Sequence, residues 1–551
     1  MGKAGIPLPL AAQGFSPAGG EKNFANAASE GKRMETDAGR LARRYHERTK
    51  HSYASVTADP HDLDWPNQPL PFKVYEDVEP ISLPPEPPRA EAPVLACLAS
   101  AGEGRPEGFS PRLETLARLF FLTAGVTKKI EAGGGAHYFR AAACTGALYH
   151  IEVYLVCGAV PGGGGGLSPG VYHLGAHDYA ARRLRGGDFR AVLARAAGEA
   201  SSPPAYFVFT STYWRNAWKY RARAYRHCYW DSGTMLANLL AAAAALGVPA
   251  RTVLGFADAA VNGLLGVDPA QEAALGWVEL GRPRERPEEA PAVLPIACRT
   301  TPLSASRVDY PLIEEVHAAT SFSGPREAIA WRESARAPGG GPLSPPLEGG
   351  QAFPLGREEV PHASVDQTIL RRGSVRRFDR EQPIRFEELS AALRAAAGAL
   401  QADFLPAGAP ALNEMFLIVH AVDGLPPGAY LLDRAGERLR LLRGGDLRAW
   451  AGGLGLGQAL AAEAAVNVYF LSDLERVLAG LGGRGYRAAQ LEAALMGGRL
   501  YLAAEGMGFG ASGLTFYDDD VVSFFGPAAR GKDVMFLLLL GRRRRGRLFR
   551  A

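Results

Sequence analysis

An internal repeat constrains the fold of this chain more than any other feature of its sequence. SPGVYHL followed by LRGGDFRA returns later as PPGAYLLD followed by LRGGDLRA, which aligns Tyr172 with Tyr430 and Asp188 with Asp446. Further on, AYRHCYWDSGTMLANLLAAAAALGVPA aligns with GYRAAQLEAALMGGRLYLAAEGMGFGA. A unit that occurs twice in one chain is expected to pack against its copy as the two subunits of a symmetric dimer would.

Each copy predicts a mixture of strands and helices. IEVYLV, AYFVFT, MFLIVH and NVYFL are short, rich in β-branched or aromatic residues and bounded by turn residues, which is typical of strands. In the second copy Leu491, Ala494, Leu495, Gly498 and Leu502 recur at helical spacing, and the small residues among them favour close helix packing. Each copy closes with a predicted strand that runs into Leu-Gly-Arg. The sequence therefore predicts two α+β units.

Composition predicts how the rest of the chain is divided. Gly, Ala, Ser and charged residues without apolar periodicity indicate disorder at the N-terminus, and Pro/Gly-rich stretches indicate a linker or wrapping arm between the copies. Only DYPLIEEVHAAT carries helical periodicity within that linker. We expect a disordered extension over 1–44, a first domain over 45–281, a linker over 282–365, a second domain over 366–545 and a basic tail over 546–551.

Charge, cysteine content and hydropathy argue against several classes of protein. A net charge of +4 over 551 residues does not indicate nucleic-acid binding. The five cysteines are widely spaced and form no C-x-x-C pair, which argues against a disulfide framework or a zinc site and favours a reducing compartment. The longest apolar run, MLANLLAAAAALGVPA, is shorter than the roughly 18 residues that a membrane helix needs. We expect a cytoplasmic protein that binds neither nucleic acid nor membrane.

Several known catalytic motifs are absent from the sequence. H-E-x-x-H, the P-loop and G-x-S-x-G do not occur. GFGASG matches the dinucleotide fingerprint, but it follows a predicted helix instead of linking a strand to a helix, so we reject a Rossmann interpretation. His150 and His227 are expected to be packed or capping residues, and no metal is assigned. The run from Asp518 to Asp520 is expected to open a helix, whose N-terminal dipole favours carboxylates.

Two arginine clusters raise the question of an anionic ligand. RRGSVRRFD begins at Arg371 ahead of a predicted helix, and GRRRRGR follows the last predicted strand. Arginine makes forked, charge-assisted hydrogen bonds to phosphate, and serine adds a further donor. One such cluster would more often be a solvated face. Two clusters, each next to predicted structure within one repeat unit, favour phosphate binding.

These motifs together resemble a known family. RRGSVRRFD before a helix, the long GYR…LYLAAEGMGFGASG segment and an apolar strand ending in Gly-Arg resemble the nitroreductase-like FMN proteins. YHERTKHS, YFRAAACTGALYHIEVYLV and WRNAWKYRARAYRHCYWDSG resemble their SagB-type branch, the flavin dehydrogenases of thiazole/oxazole-modified peptide clusters. The resemblance spans about Tyr45 to Arg545. It implies two tandem nitroreductase-like α+β domains packed as an intramolecular pseudo-dimer, with FMN as cofactor and a monomeric chain.

The resemblance also implies a composite FMN site. The second half would hold the phosphate and border the flavin ring, and the first half would supply the opposing loop, where Ala143-Cys144-Thr145 stands in place of the usual Pro-Ser-Ala. The first half lacks the arginine motif and the second half has a poorly matched loop, so we expect one FMN; two weak sites or none is the alternative. The implied cofactor-binding residues are Arg371, Arg372, Ser374, Arg376, Arg542, Ala511, Ser512, Gly513, Cys144, Thr145 and Gly146.

Lys219 and Tyr220, just before the first half's central helix, resemble the Lys-Tyr pair of azoline dehydrogenases. Oxidation of a thiazoline or oxazoline needs a base for the C–H proton, and a lysine helped by a tyrosine can serve. The alternative is that Lys219 is a surface cation in a basic segment. The implied function is FMN-dependent oxidation of a modified peptide or a small organic molecule. The alternatives are a nitro- or quinone-reductase with NAD(P)H as electron donor, and a pseudoenzyme that binds flavin or a peptide.

Overall fold

The computed structural model describes residues 37–58, 60–100, 109, 111–132, 135–283, 289–336, 350–406, 409 and 411–544. The tail predicted at 546–551 and most of the predicted N-terminal extension lie outside these residues. The expectation of disorder through residue 44 is wrong from Asp37 onward, because a helix begins there and buries Ala42 and Tyr45 completely. Among the described residues, no helix is both long and apolar enough to cross a membrane.

The first half of the chain alternates helices with strands. Its helices are α1 (Asp37–Arg48), α2 (Tyr53–Ala58), α3 (Val94–Ala99), α4 (Leu113–Ala124), α5 (Arg190–Ala196), α6 (Tyr213–Tyr220), α7 (Ala224–Ala245) and α8 (Asp258–Leu265). Its strands are β1 (Pro80–Ser82), β2 (Val126–Ala132), β3 (Gly135–Arg140), β4 (Ile151–Cys157), β5 (Gly170–Gly175), β6 (Ala180–Gly186), β7 (Ala205–Thr212), β8 (Ala250–Val253) and β9 (Glu272–Leu280).

The remaining chain repeats this pattern. Its helices are α9 (Pro311–Ala319), α10 (Pro325–Arg336), α11 (Val365–Arg371), α12 (Phe386–Ala397), α13 (Arg448–Leu454), α14 (Ala459–Glu463), α15 (Leu474–Gly506) and α16 (Asp518–Phe525). Its strands are β10 (Ala352–Pro354), β11 (Ile384–Arg385), β12 (Glu414–Val419), β13 (Val422–Asp423), β14 (Gly428–Asp433), β15 (Arg438–Gly444), β16 (Val466–Ser472), β17 (Gly510–Gly513) and β18 (Asp533–Gly541).

Two seven-stranded sheets have the same strand order. One runs β1-β6-β5-β4-β7-β9-β8 and the other β10-β15-β14-β12-β16-β18-β17, with antiparallel neighbours throughout. The apolar runs predicted as strands are β4, β7, β12 and β16, and the Leu-Gly-Arg stretches lie at the ends of β9 and β18. The predicted α+β class with two equivalent units is confirmed.

Matched side chains repeat the same local hydrogen bonds. The hydroxyls of Tyr172 and Tyr430 each donate to the carbonyl four residues earlier, at 2.6 and 2.5 Å. Asp188 and Asp446 each accept from the backbone N–H two residues later, at 3.0 Å in both cases. The alignment read from the sequence therefore holds at the level of individual hydrogen bonds.

The two halves meet through the central helices α7 and α15. A Cβ added to Gly233 on α7 would lie 2.7 Å from the backbone nitrogen of Leu495, and one added to Gly498 on α15 would lie 3.0 Å from the Cα of Thr234. Glycine at these two positions therefore lets the helix backbones approach closely. The predicted small-residue packing face of the second helix is confirmed.

Both halves bend the chain at the entrance to the central helix. Arg221, between α6 and α7, has φ 51 and ψ −141, and Gly482 inside α15 has φ 56 and ψ −161. Glycine adopts such a conformation freely, whereas a residue with a side chain is strained in it. The kink places Lys219 and Tyr220 at the end of α6.

Buried ion pairs join the halves reciprocally. In each half, one aspartate at the start of a short helix binds two arginines near the start of the other half's central helix. The pairs are Asp518 with Arg223 and Arg226, and Asp258 with Arg484 and Arg487. Burial alone would raise the pKa of Asp258, but its two arginines lower it to about 2.

Asp518 opens α16, as predicted, but its role differs from the one expected. The side chain is buried and accepts hydrogen bonds from the guanidinium groups of Arg223 and Arg226, at 3.1 and 2.7 Å. A pairing with residues nearly 300 positions away leaves no trace in the local sequence. The dipole of α16 is therefore secondary to this contact between the halves.

The predicted linker is wrong over 311–336, where it forms α9 and α10. The helix expected from DYPLIEEVHAAT is confirmed as α9, whereas α10 was not expected. Arg226 donates to the His46 carbonyl and to the Thr49 hydroxyl after α1. Arg487 makes the same two bonds at the end of α9, to the His317 carbonyl and the Thr320 hydroxyl, both at 2.8 Å. We therefore infer that the second repeat begins near Pro311, with α9 as the counterpart of α1.

Candidate active site

The arginine segment of the second half touches the first half. Arg372 follows α11 and donates from Nε to the carbonyl of Ala141 at 2.9 Å and from Nη2 to the carbonyl of Arg140 at 3.1 Å. Burial lowers the pKa of Arg372, although the neighbouring hydroxyls of Tyr501 and Tyr149 raise it. These two carbonyls lie just ahead of the loop that contains Cys144. The two parts of the predicted composite site are therefore adjacent.

Tyr501 on α15 connects the arginine segment to the glycine-rich strand β17. Its hydroxyl lies 3.1 Å from Ser374 Oγ and accepts a hydrogen bond from Gly513 N at 2.6 Å. Val375 N donates to the carbonyl of Ala511 at 2.9 Å, and the Ser512 side chain is buried beside it. Sequence reasoning missed Tyr501, although a lone tyrosine in the quoted LYLAAEGMGFGASG segment was a usable signal.

The remaining predicted phosphate ligands divide into two groups. Arg371 and Arg376 are exposed, and neither forms an ion pair within the described residues. Arg542 instead pairs with Glu388 on α12, at 2.7 Å. Its neighbour Arg543 donates to the carbonyl of Gly373 at 3.1 Å. The structure therefore brings the side chain of Arg543, which was not predicted and which also pairs with Glu505, to the arginine segment. Arg542 contacts that segment only through its carbonyl, which accepts from Asp379 N at 2.9 Å.

The first half's loop is held by the carboxylate of Asp231 on α7. Oδ1 accepts from the Thr145 backbone N–H at 2.9 Å and from its hydroxyl at 2.8 Å, and Oδ2 lies 3.0 Å from Cys144 Sγ. Gly146 has φ 64, a conformation that suits glycine. Burial raises the pKa of Cys144 well above its usual value, and the charge of Asp231 adds to the shift. Cys144 is therefore a protonated thiol that donates to Asp231.

His150 completes this cluster. Its Nε2 lies 2.9 Å from Asp231 Oδ2, and its Nδ1 lies 2.7 Å from Ser211 Oγ. Donor atoms of Cys144, His150 and Asp231 all lie within 4.8 Å of one another, a spacing that could hold a metal ion. Cys144 lies close to His150 in the sequence, whereas Asp231 is distant from both, so the sequence alone did not reveal the cluster. Each of the three is already hydrogen bonded within the cluster, and we assign it the role of fixing the loop.

Tyr220 reaches the same loop. A Cβ added to Gly146 would lie 2.7 Å from the Tyr220 hydroxyl, and the Tyr220 ring meets the ring of His227 edge-on at 4.6 Å. Burial raises the pKa of Tyr220, and the charges of Asp231 and Cys144 act in the same direction. Lys219 is half-buried, and its Nζ lies 5.5 Å from the centre of the Tyr220 ring. The predicted pair therefore lies beside the predicted loop.

Comparison with known proteins agrees with this architecture. Residues 187–282 and 369–542 match the model of the nitroreductase family. The fold is therefore nitroreductase-like, an α+β architecture that occurs here as two units in one chain. No curated protein matches the chain.

A solved structure matches the chain over nearly its whole length. It is a protein from Anabaena variabilis assigned as a nitroreductase, with 27% identity and a TM-score of 0.71, and the match covers 92% of this chain and 99% of that one. A Ralstonia eutropha protein with the same assignment matches at 19% identity and a TM-score of 0.30, covering 39% of this chain and 100% of that one. The E. coli microcin synthetase McbBCD complex with truncated pro-MccB17 matches at 18% identity and a TM-score of 0.29, covering 45% of this chain and 94% of that one.

Proposed function

We propose that this protein is an FMN-dependent oxidoreductase of the SagB-type branch that oxidises azoline rings in a peptide or a related small organic substrate. The contact of Arg372 with the carbonyls of Arg140 and Ala141 carries the proposal. It joins the arginine segment of one half to the Cys144 loop of the other, and these are the two parts from which the resemblance builds one FMN site.

The side chains at this junction fit a phosphate monoester and a flat ring. Arg371 and Arg376 are exposed beside Ser374, which gives two cations and a hydroxyl to an anion. Gly513 is exposed at the end of β17, so no side chain fills the space next to its backbone. Arg371, Ser374 and Arg376 would hold the phosphate, whereas the nearby Arg543 is already paired with Glu505. Gly513 and the Cys144 loop would border the ring.

Lys219 and Tyr220 divide the proton chemistry between them. Oxidation of an azoline to an azole removes two hydrogens, one as a proton and one with the electron pair, and bound FMN supplies the two-electron acceptor. The raised pKa keeps the Tyr220 hydroxyl protonated at neutral pH, so Tyr220 can donate a hydrogen bond but is a poor base. Lys219 is the side chain of this pair that would accept the C–H proton. Asp231 holds the loop against which Tyr220 lies.

A second candidate is an NAD(P)H-dependent nitro- or quinone-reductase. It is favoured by the Anabaena variabilis structure, which is assigned as a nitroreductase and matches both halves of this chain. In that case the reduced nicotinamide supplies the electrons and Lys219 takes no part. Rapid bleaching of the flavin by NADPH would favour this candidate, and bleaching by an azoline peptide would favour the first.

Flavin stoichiometry tests the composite site directly. We expect a yellow protein that releases one FMN per chain on acid treatment, since the arginine segment and the Cys144 loop form one junction. The measurement is absorbance of the released flavin divided by protein concentration, with the cofactor identified by mass. A ratio approaching two would contradict the single site, and a colourless protein that takes up no FMN would contradict the whole proposal.

A further inference from the structure

A cavity of about 610 Å³ lies between the halves. It lies beside α15, the central helix of the second half, whereas the Cys144 loop lies beside α7, the central helix of the first. The cavity is lined by residues of the segment 398–406 after α12, by α15, and by side chains of the first half such as Arg251. Sites for small ligands commonly have volumes of about 300–1,000 Å³. The cavity is therefore large enough to hold a small molecule.

Its position corresponds to that of the Asp231 cluster in the first half. In the aligned central helices Glu492 takes the place of Asp231 and Arg499 takes the place of Asn238. Glu492 accepts a hydrogen bond from Asn413 at 2.8 Å, just as Asp231 bonds His150 ahead of the equivalent strand. The cavity is thus the second half's counterpart of the loop site, with different side chains.

Arginines dominate the polar lining. Arg251 pairs with Glu199, and Arg332 lies 3.8 Å from Asp403. Arg434 and Arg499 differ, because they make no ion pair within the described part of the chain. The positive charge of the lining that no ion pair balances is therefore the charge of these two arginines.

Arg434 and Arg499 are bonded to backbone carbonyls at the end of α12. Arg499 donates to the carbonyls of Gly398 and Ala399, both at 2.7 Å, and Arg434 donates from Nη2 to the carbonyl of Ala397. Nη1 of Arg434 is buried and has no hydrogen-bond partner. A buried guanidinium nitrogen without an acceptor costs free energy that a bound anion would recover. The end of the helix therefore accounts for part of this arrangement, but not for Nη1.

Burial and mutual repulsion both act against the charges of these two arginines. Burial lowers the pKa of Arg499 to about 10, repulsion from Arg434 contributes to the shift, and the charge of Glu492 opposes it. Burial raises the pKa of Glu492, although the charge of Arg434 acts in the opposite direction. An added negative charge between the two arginines would relieve their mutual repulsion.

We propose that this cavity is a binding site for an oxyanion, a carboxylate or phosphate group on a small molecule, held between Arg434 and Arg499. The forked geometry of guanidinium matches both kinds of group. The site is separate from the proposed FMN site and does not depend on it.

Titration calorimetry of the full chain with inorganic phosphate and with succinate, in chloride buffer of constant ionic strength, tests this site. We expect saturable binding of at least one of the two anions. Arg434→Gln and Arg499→Asn, the latter restoring the first half's residue, should each weaken it about ten- to a hundredfold. Preference for phosphate would indicate a phosphate ester as the natural ligand, and preference for succinate a carboxylic acid.

Two control variants separate this site from other cationic surfaces. Arg438→Gln removes an arginine that pairs with Asp433 outside the cavity and should leave binding unchanged. Arg357→Gln removes an exposed arginine that pairs with Glu437 outside the cavity and should also leave binding unchanged. The absence of saturable binding in the wild-type chain, or full binding of both anions in Arg434→Gln, would overturn the proposal. If Arg434→Gln does not fold, the wild-type titration and Arg499→Asn decide.

Discussion

The two central helices carry an acidic residue at the same position, but the hydrogen-bond partners of that residue differ between the halves. In the first half Asp231 organises a loop through Cys144 and Thr145. In the second half Glu492 bonds Asn413, and the loop before the strand leaves an open, arginine-lined cavity. The repeat has therefore preserved the scaffold position of a buried polar group while the residues around it diverged.

The kink before each central helix shows the same divergence. In the first half it is made by Arg221, a residue that is strained at positive φ by about 1–3 kcal/mol, and in the second by Gly482, which is not. Lys219 and Tyr220 precede the strained kink, whereas Gly480 and Leu481 precede the relaxed one. Strain that persists next to a Lys-Tyr pair is consistent with chemistry in the first half.

Replacing Lys219 should have the largest effect, and it tests whether the chemistry belongs to the first half alone. We expect Lys219→Ala to lower azoline oxidation by roughly 10²–10⁴-fold, the usual contribution of a positioned base, with FMN retained. Lys219→Arg should fail almost as badly, because guanidinium stays protonated. Tyr220→Phe should be milder if the hydroxyl only orients the substrate. The measurement is the steady-state rate with a thiazoline peptide, beside flavin absorbance.

Lys128→Ala, at an exposed position on the β2–β3 hairpin, is the matched control and should keep full activity. Near-wild-type oxidation by Lys219→Ala would remove the mechanistic part of the proposal and leave the flavin site. In the reductase candidate, quinone turnover with NADPH should survive all three changes at Lys219 and Tyr220.

The reciprocal ion pairs should respond alike in the two halves. Asp258→Asn and Asp518→Asn each leave two buried arginines without a counterion, which we expect to lower the free energy of unfolding by about 3–5 kcal/mol. Both carboxyls have pKa values below their ordinary value when folded. Their stabilisation is therefore complete above the unfolded pKa, and for Asp258 it is lost as pH falls from about 4 to about 2.

Chemical denaturation of both variants at neutral pH, and of the wild-type chain across the acid range, measures these effects. Asp519→Asn is the control, since Asp519 is exposed and lies next to Asp518. A large loss in one variant with none in the other would show that only one half contributes to the interface, contrary to the symmetry of the contacts.

The arginine segment should give the smallest of the three effects. Arg376→Ala or Arg371→Ala should each remove charge-assisted hydrogen bonds worth about 1.5–3 kcal/mol, and hence weaken FMN binding roughly ten- to a hundredfold. Arg377→Ala, exposed in the same segment, is the control. Equilibrium titration of the apoprotein with FMN measures the change. Unchanged FMN affinity in both variants would show that the arginine segment is a solvated face and not a phosphate site.

The sequence predicts the repeated architecture well because strands and central helices have strong local patterns. It also led to the segment that contains Arg372 and the loop that contains Cys144. It did not lead to Asp231, which is one polar residue within a long buried helix and becomes significant only when Cys144 and His150 fold against it. Contacts between residues so distant in sequence have no local signature.

The sequence predicted α9 as a helix but placed it in the linker instead of the second repeat, for a different reason. The Pro-rich stretches around α9 are typical of a linker and obscured a weak match. His46 and Thr49 in YHERTKHS recur with the same spacing as His317 and Thr320 in VHAATSFS. Because both pairs bind equivalent arginines, that spacing was the available signal. The sequence predicted the side chain of Arg542 at the arginine segment, whereas the structure places that of Arg543 there. Which of several consecutive arginines reaches the segment depends on the direction of each side chain, and the sequence does not specify that direction.

The reciprocal pairing of aspartates and arginines has a consequence during translation. Asp518 leaves the ribosome 292 residues after Arg226, its partner. At elongation rates of about 5–20 residues per second, this delay lasts roughly 15–60 s. Throughout that interval the nascent first half presents an apolar helix and two unpaired arginines. Completion of its core therefore waits for the C-terminal part of the chain, and a truncated message would yield a first half that is a substrate for chaperones and proteases.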